Sequence, residues 1–176
     1  MYELPDGNLL FHFSDRVSAF DVKFPDQIPR KGEVLCKFAE FWFNNLPIKN
    51  HYIRTQAKDK IVVKKMQMIP IECVVRGYFY GSLVQRWKDD QVKIPSGSDT
   101  RIAAKLSGPL FDPTTKSETH DIPITKKDAL DRKLMMPGEY DWLEQTSFQI
   151  YEKMVKISDK AGFILADIMH YSFIFR

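Results

Sequence analysis

Apolar and polar positions along this chain switch between a period of two and a period near 3.6, which predicts strands and helices interleaved. Residues 8–13, NLLFHF, alternate loosely behind the turn signal Pro5-Asp6-Gly7 and predict an early hairpin or edge strand. Pro25 and Pro29 are expected to bracket a loop. Over 33–46, Val34, Leu35, Phe38, Phe41, Trp42 and Leu46 keep helical spacing, and Pro47 stops the helix. Ile61-Val62-Val63 predicts a strand within 53–68, ahead of Pro70, and Ile71-Glu72-Cys73-Val74-Val75 predicts one buried on both faces. Residues 88–125, with Pro95, Gly97, Gly108, Pro109, Pro113 and Pro123, read as loops around one or two short strands, a kind of segment more often functional than idle. Thr125 and Asp128 have capping-box spacing for a short helix that Pro137-Gly138 ends. Residues 139–162 are the clearest helix, with Tyr140, Leu143, Phe148, Tyr151, Met154, Val155 and Ile157 on its apolar side and Gly162 as terminator. Phe163-Ile164-Leu165-Ala166 then predicts a buried strand leading into Asp167. There is no internal repeat and no low-complexity linker, and the mixture is α+β.

The run IECVVRGYFYGS at 71–82 carries the most chemistry, because an apolar strand delivers Arg76 to a glycine-flanked turn. Ser82 and Gln85 have the S-x-x-Q spacing of a capping box, and Leu83, Val84 and Trp87 give the helix that follows an apolar face. Free N–H groups at a helix start and the planar fork of an arginine both suit a phosphate, while Gly77 and Gly81 let backbone approach a ligand closely. The same spacing also describes a buried strand ending in a surface arginine before an ordinary capped helix. The residues alone leave both readings open.

Composition narrows the field. A chain of 176 residues holds one substantial core or two small lobes sharing one, not two large domains. With 44% hydrophobic and 28% charged residues it belongs with ordinary soluble globular proteins. The net charge of +3 is mild and the Lys and Arg residues are scattered, so the footprint of a dedicated nucleic-acid binder is missing, while small anionic ligands stay open. Cys36 and Cys73 are too few and too far apart for a zinc site or disulfide scaffold, so both are expected in the core of a protein of the reducing cytosol. No segment approaches the roughly 18 to 20 apolar residues of a membrane span, and MYELPDGN is no signal peptide.

Three further clusters offer chemistry. SDRVSAFD at 14–21 packs carboxylates, an arginine and hydroxyls together, as a solvated turn also could. PTTKSETHD at 113–121 sets a lysine, a histidine and two acids on a proline-bounded loop, which could attract a carboxylate substrate or simply be charged surface. Asp167 ends a predicted strand, where it could reach a metal or ligand or merely start a turn. No H-E-x-x-H, G-x-G-x-x-G, Walker A or G-x-S-x-G signature occurs, which removes the zincin, dinucleotide, P-loop and α/β-hydrolase readings.

SDRVSAFD at 14–21, KGEVL at 31–35, MIPIECVVRGYFYGS at 68–82, PLFDPTTKSETHD at 109–121 and GFILAD at 162–167, in this order and at these separations, resemble the SAICAR synthetase family over nearly the whole chain. The resemblance implies a two-lobed α+β fold, with a β-rich nucleotide lobe over 1–75 carrying one helix and an α/β substrate lobe over 76–176. It implies a cytoplasmic ATP-dependent ligase of purine biosynthesis that joins the carboxylate of CAIR, a ribotide, to L-aspartate through an acyl phosphate, with Mg²⁺ assisting. By match to family motifs, Arg76 and Ser82 would hold the 5′-phosphate of the ribotide. Glu72 would lie beside the adenine of ATP with Met68 at the pocket edge, and Ser18 and Asp21 would serve the nucleotide and ribotide region. Lys116 and Asp121 would act at the reacting carboxylate with His120 beside them, and Asp167 would reach the metal.

The chain also departs from the family pattern. It begins beyond the family's Gly-Lys-x-Lys strand and ends before its later segment with a metal-binding aspartate, so the fold is expected to be incomplete. Met169 stands where the family has a lysine, and Tyr171 where it has a magnesium-binding glutamate. A thioether and a phenol do not replace an ammonium and a carboxylate around Mg²⁺. The resemblance therefore leaves a second expectation, a truncated or diverged relative that binds ribotide or nucleotide without turnover. A mildly basic interaction domain is a third, but it gives no reason for five ordered blocks. Aromatics such as Phe41 and Phe43, on two sides of one helix, would suit an interface between copies of the chain.

Overall fold

The computed structural model of the chain describes residues 1–19, 22–115 and 122–174. It divides into two compact units, Met1–Met66 and Gln67–Arg176. The mixture of helices and antiparallel sheets is α+β, as the two periods require.

The first unit runs β1 (Tyr2–Glu3), β2 (Leu9–His12), β3 (Arg16–Ala19), β4 (Val22–Gln27), α1 (Lys31–Asn45), β5 (Tyr52–Ala57) and β6 (Lys60–Val63). β1 and β2 form the expected hairpin around Pro5-Asp6-Gly7, where Gly7 takes φ 80°. The sheet has the order β1-β2-β6-β5. Pro25 is not in a loop: it lies in β4, an exposed strand that among the described residues pairs with β3 alone, and such an edge tolerates a residue with no N–H to donate.

α1 forms where it was expected, but with the opposite face inward. Cys36, Ile61 and Val63 make the core, joined by Ala39, Phe43 and Tyr52, while Val34, Leu35, Phe38 and Phe41 are exposed. Small residues at Gly32, Cys36 and Ala39 explain this, because they let the helix lie close to its sheet. A Cβ on Gly32 would sit 2.4 Å from the Phe13 carbonyl oxygen. Phe43 therefore belongs to the core, and only Phe41 remains of the aromatic pair proposed for an interface. Arg30 at the N-cap is left-handed (φ 66°) and its side chain does not cap. Asp15 does so from a distance, accepting from the backbone N–H groups of Gly32 at 2.8 Å and Arg30 at 3.2 Å.

The second unit runs β7 (Gln67–Tyr78), α2 (Ser82–Lys88), β8 (Lys105–Phe111), β9 (Thr114–Thr115), α3 (Lys126–Asp131), α4 (Glu139–Lys160) and β10 (Asp167–Ile174). Its sheet has the order β10-β7-β8, with β9 also on β7. The expected division between residues 75 and 76 falls inside β7, which pairs with β10 from Gln67 to Arg76 with one register shift between Tyr171 and Phe173, whereas the two units part before the strand begins. α3 starts on the predicted capping box, with the Asp128 N–H bonded to Thr125 Oγ1 at 3.1 Å and the Thr125 N–H to Asp128 Oδ2 at 2.9 Å.

Two expectations fail here. Ser82 is not a cap: Gly81 holds that position at φ 63°, ψ −142°, where side chains rarely go, and no side chain caps the helix. The stretch 163–166 is not a buried strand either, since Phe163 and Ile164 are 70% and 76% exposed and the strand starts at Asp167. Its inward positions Ile168, His170 and Ser172 are mostly polar, so their alternation carried no apolar signal. Cys36 and Cys73 are both free and buried. Among the described residues no helix is long and apolar enough to cross a membrane.

Candidate functional site

β7 lies between β10 and β8, and its alternation sorts its side chains onto two faces. Met68, Glu72, Val74 and Arg76 share one face. Ile69, Ile71, Cys73, Val75 and Gly77 share the other, against α4. Antiparallel register then adds Asp167 opposite Arg76 and Tyr171 opposite Glu72, on the same face as those partners. The strand thus gathers Met68, Glu72, Arg76 and Asp167, and α2 brings Ser82 to them.

Arg76 is the centre of the site. Its Nε donates to Asp112 Oδ2 at 2.7 Å and its Nη2 to Ser82 Oγ at 3.2 Å. Arg86, one helical turn past Ser82, donates from Nη1 to the same Asp112 oxygen at 2.7 Å. The side chains are 16%, 15% and 4% exposed for Arg76, Arg86 and Asp112, so all three are held largely out of water. Asp112 is fixed from below, its N–H bonded to the Val74 carbonyl at 2.9 Å. Two guanidiniums and one carboxylate leave one net positive charge in a rigid, partly desolvated frame, which is what an anion requires.

Glu72 is buried and doubly held. Tyr171 Oη donates to its Oε1 at 2.5 Å and Thr114 Oγ1 to its Oε2 at 3.2 Å. Carboxylate oxygens have about four lone-pair directions, so Glu72 keeps acceptor capacity for an N–H of a ligand. Met68 is 42% exposed at the near end of the strand, as the rim of a pocket would be.

Ser18 is placed in the first unit, on β3 opposite Lys23. Asp21, Lys116, His120 and Asp121 lie outside the described residues. The base of the 116–121 loop is nonetheless fixed: Thr114 and Thr115 pair with Glu72 and Ile71, and the Thr115 N–H bonds the Ile122 carbonyl at 2.8 Å. The chain leaves and re-enters that loop beside Glu72.

The sequence reading gave Arg86 and Asp112 no role, and it named Asp15 and Thr114 only as members of the 14–21 and 113–121 clusters. Arg86 had a usable signal, because i and i+4 put it on the helix face of Ser82. Asp112 had none, since nothing local says that the aspartate of Phe111-Asp112-Pro113 turns back onto β7.

Among the described residues no group of three or more His, Cys, Asp or Glu side chains could hold a metal ion. These residues do not fit a protein-built metal centre, and the Tyr171 phenol is spent on Glu72. Asp167 is one exposed carboxylate, enough only for an ion held mainly by phosphates and water.

The face toward α4 is different. Gly77 is obligatory there, because a Cβ would come 1.7 Å from Tyr151 Oη. The Gly77 N–H bonds the Ala166 carbonyl at 2.8 Å and Tyr151 Oη donates to the Leu165 carbonyl at 3.1 Å. Ser147 donates to the Leu143 carbonyl at 2.6 Å, so its oxygen accepts from His170 Nε2 at 2.9 Å. Burial pushes the Cys73 thiol up to about 11, despite hydrogen bonds with Ser147 and Ser172, and holds the His170 imidazole below its ordinary value. A cleft of about 290 Å³ opens on this side between β8 and α4, lined by Gly77, Tyr78, Lys105, Tyr151 and Lys156 among others.

The family model for SAICAR synthetase matches residues 1–170. A phosphoribosylaminoimidazole-succinocarboxamide synthase of Nitrosopumilus maritimus is 61% identical over 96% of this chain and 61% of its own length. That of Candida maltosa is 35% identical over 95% of this chain and 62% of its own. Among solved structures, the SAICAR synthase from Saccharomyces cerevisiae complexed with SAICAR matches with a TM-score of 0.85 and 27% identity, covering 98% of this chain and 64% of that one. The SAICAR synthetase from Pyrococcus horikoshii matches at 0.81 with 25% identity, over 96% and 71%. The chain thus spans about three-fifths of the length of the curated relatives it matches.

Proposed function

Because the chain belongs to the SAICAR synthetase family, a family of enzymes, we propose that it serves the ligase reaction of purine biosynthesis in the cytoplasm, joining the carboxylate of CAIR to the amino group of L-aspartate at the expense of ATP. The observation that carries the reading is the Arg76 guanidinium, fixed by Asp112 and Ser82 on the same strand as a buried Glu72. Arg76 and Ser82 take the 5′-phosphate of the ribotide, the guanidinium supplying charge and the hydroxyl a further hydrogen bond. Glu72 accepts from the amino group of adenine, and Met68 packs at its edge. Ser18 and Asp21 serve the nucleotide and ribotide region. ATP supplies a phosphoryl group that turns a poor electrophile, a carboxylate, into an acyl phosphate. Lys116, His120 and Asp121 belong to the loop that springs from beside Glu72, and they hold the reacting carboxylate and the incoming aspartate. A magnesium ion bound to the nucleotide would neutralise phosphate charge, and Asp167 would offer it one oxygen ligand.

A second reading has its own support. Where the family pattern has a glutamate the chain has Tyr171, and that phenol is bonded to Glu72. A relative that binds ribotide or nucleotide without turnover would show this arrangement. The test is to mix the protein with ATP, Mg²⁺, CAIR and L-aspartate and to measure ADP together with the succinocarboxamide. Product at the rate of ADP release supports the ligase, whereas saturable CAIR binding with no product leaves only the second reading. Arg76→Ala is expected to weaken CAIR binding by about 10- to 100-fold while changing ATP binding far less. Equal CAIR affinity in variant and parent would end the assignment of the phosphate seat.

A further inference from the structure

We infer that Arg86 is a positioning residue that keeps the phosphate seat charged: it neutralises Asp112, so that the charge of Arg76 remains available to the ligand. The inference rests on the reading of Arg76 and Ser82 as a phosphate subsite and extends it to Arg86 and Asp112, to which the resemblance gives no role.

A lone Arg76–Asp112 pair at 2.7 Å would be electrically neutral, and a neutral pair holds a phosphate dianion poorly. The structure instead gives Asp112 two cations on one oxygen, each at 2.7 Å. The carboxylate is 4% exposed, so water does little to screen it and its charge is settled by these partners. The sum over the three groups is one positive charge. Geometry assigns the roles. Arg76 reaches Ser82 as well as Asp112, toward the turn that begins α2, and so points at the seat. Arg86 projects from the second turn of α2 and donates to the same Asp112 oxygen, whereas the bond to Ser82 comes from Arg76. Asp112 sets the direction of Arg76 through Nε, Ser82 sets its tip through Nη2, and Arg86 keeps the sum from falling to zero.

The test uses the full chain and ribose 5-phosphate as the probe, with affinity read by titration calorimetry and folding by near-ultraviolet circular dichroism. Arg86→Gln leaves the Arg76–Asp112 pair intact and folded but neutral, and should weaken binding about 10-fold. Arg86→Lys keeps the charge and should bind within about threefold of the parent. The deciding variant is Arg86→Gln with Asp112→Asn. Asparagine still accepts from Arg76 Nε, the seat again carries one positive charge, and affinity should return most of the way to the parent although Arg86 is gone. If the double variant binds as weakly as Arg86→Gln, Arg86 touches the phosphate itself and the inference is overturned. Full affinity in Arg86→Gln alone overturns it as well. Arg76→Ala separates the two levels: if it binds ribose 5-phosphate like the parent, the phosphate seat itself is wrong, whereas if it fails, the Arg86 results stand by themselves.

Discussion

The two faces of β7 are built from alternate residues of one strand, and they solve opposite problems. One face carries Glu72 and Arg76, with Asp167 and Tyr171 opposite them in the β10 register. Its charges are kept by giving each a fixed partner, as Asp112 and Tyr171 do, so that groups which would rather be in water stay oriented where a ligand can reach them. The other face carries Cys73, Val75 and Gly77 and is closed by α4. There the polar groups are neutral and satisfy one another, as in the chain from His170 to Ser147 to the Leu143 carbonyl. A period of two divides binding from stability along a single segment, and a shift of one residue would exchange them.

The sharpest way to break this division is to overfill the closed face. Gly77→Ala forces a Cβ to within 1.7 Å of Tyr151 Oη, so the phenol must move and give up its bond to Leu165. We expect a loss of about 3 kcal/mol in unfolding free energy, measured by urea denaturation. Ribose 5-phosphate affinity per folded molecule should change little. If binding collapses while stability holds, the two faces are not separate.

How much of this was legible in the sequence follows from how local each signal is. The strand around 71–75 and the helix over 139–162 were plain, because burial on both faces and a 3.6 period are written into consecutive residues. The direction of α1 was not. Its large apolar residues marked one face, yet small Gly32, Cys36 and Ala39 allowed the close approach that buries the other. Arg76 and Ser82 were placed together correctly for a partly wrong reason. Ser82 caps no helix; it meets Arg76 because Gly81 turns the chain. The third member, Asp112, lies 36 residues from Arg76 in sequence, and such a partner is visible only once β8 has paired with β7.

A smaller effect probes the charged face. Tyr171→Phe removes the phenol bonded to Glu72 but leaves Thr114 Oγ1 on the other oxygen. The buried carboxylate then loses one of two donors, a destabilisation of roughly 1–2 kcal/mol. The same variant sharpens the comparison, since a freed Glu72 oxygen should bind an amino group better: ATP affinity should hold or rise while the melting temperature falls. A fall in both would mean that the phenol orients Glu72 for the nucleotide rather than competing with it.

The smallest effect expected is acid sensitivity of the closed face. Burial holds His170 below its ordinary value, with the Tyr171 backbone opposing weakly, and the titratable group across the ladder, Cys73, is raised to about 11 and so stays neutral throughout. The folded state therefore prefers the uncharged imidazole, and the unfolded chain takes up the proton first as pH falls. Stability contributed by this site is complete above about pH 6.5 and drains below it, by at most about 1.4 kcal/mol per pH unit until the folded-state value is reached. His51, also lowered by burial, adds a slope of the same sign in the first unit. His170→Asn should accordingly make the unfolding free energy between pH 6.5 and 5.5 less steep without flattening it. The phosphate seat lies on the opposite face of β7 from His170, so ribose 5-phosphate binding corrected for the probe's own ionisation should not follow the same curve. If it does, protonation behind the strand is reaching the seat in front of it, and the separation of the two faces fails at its closest point.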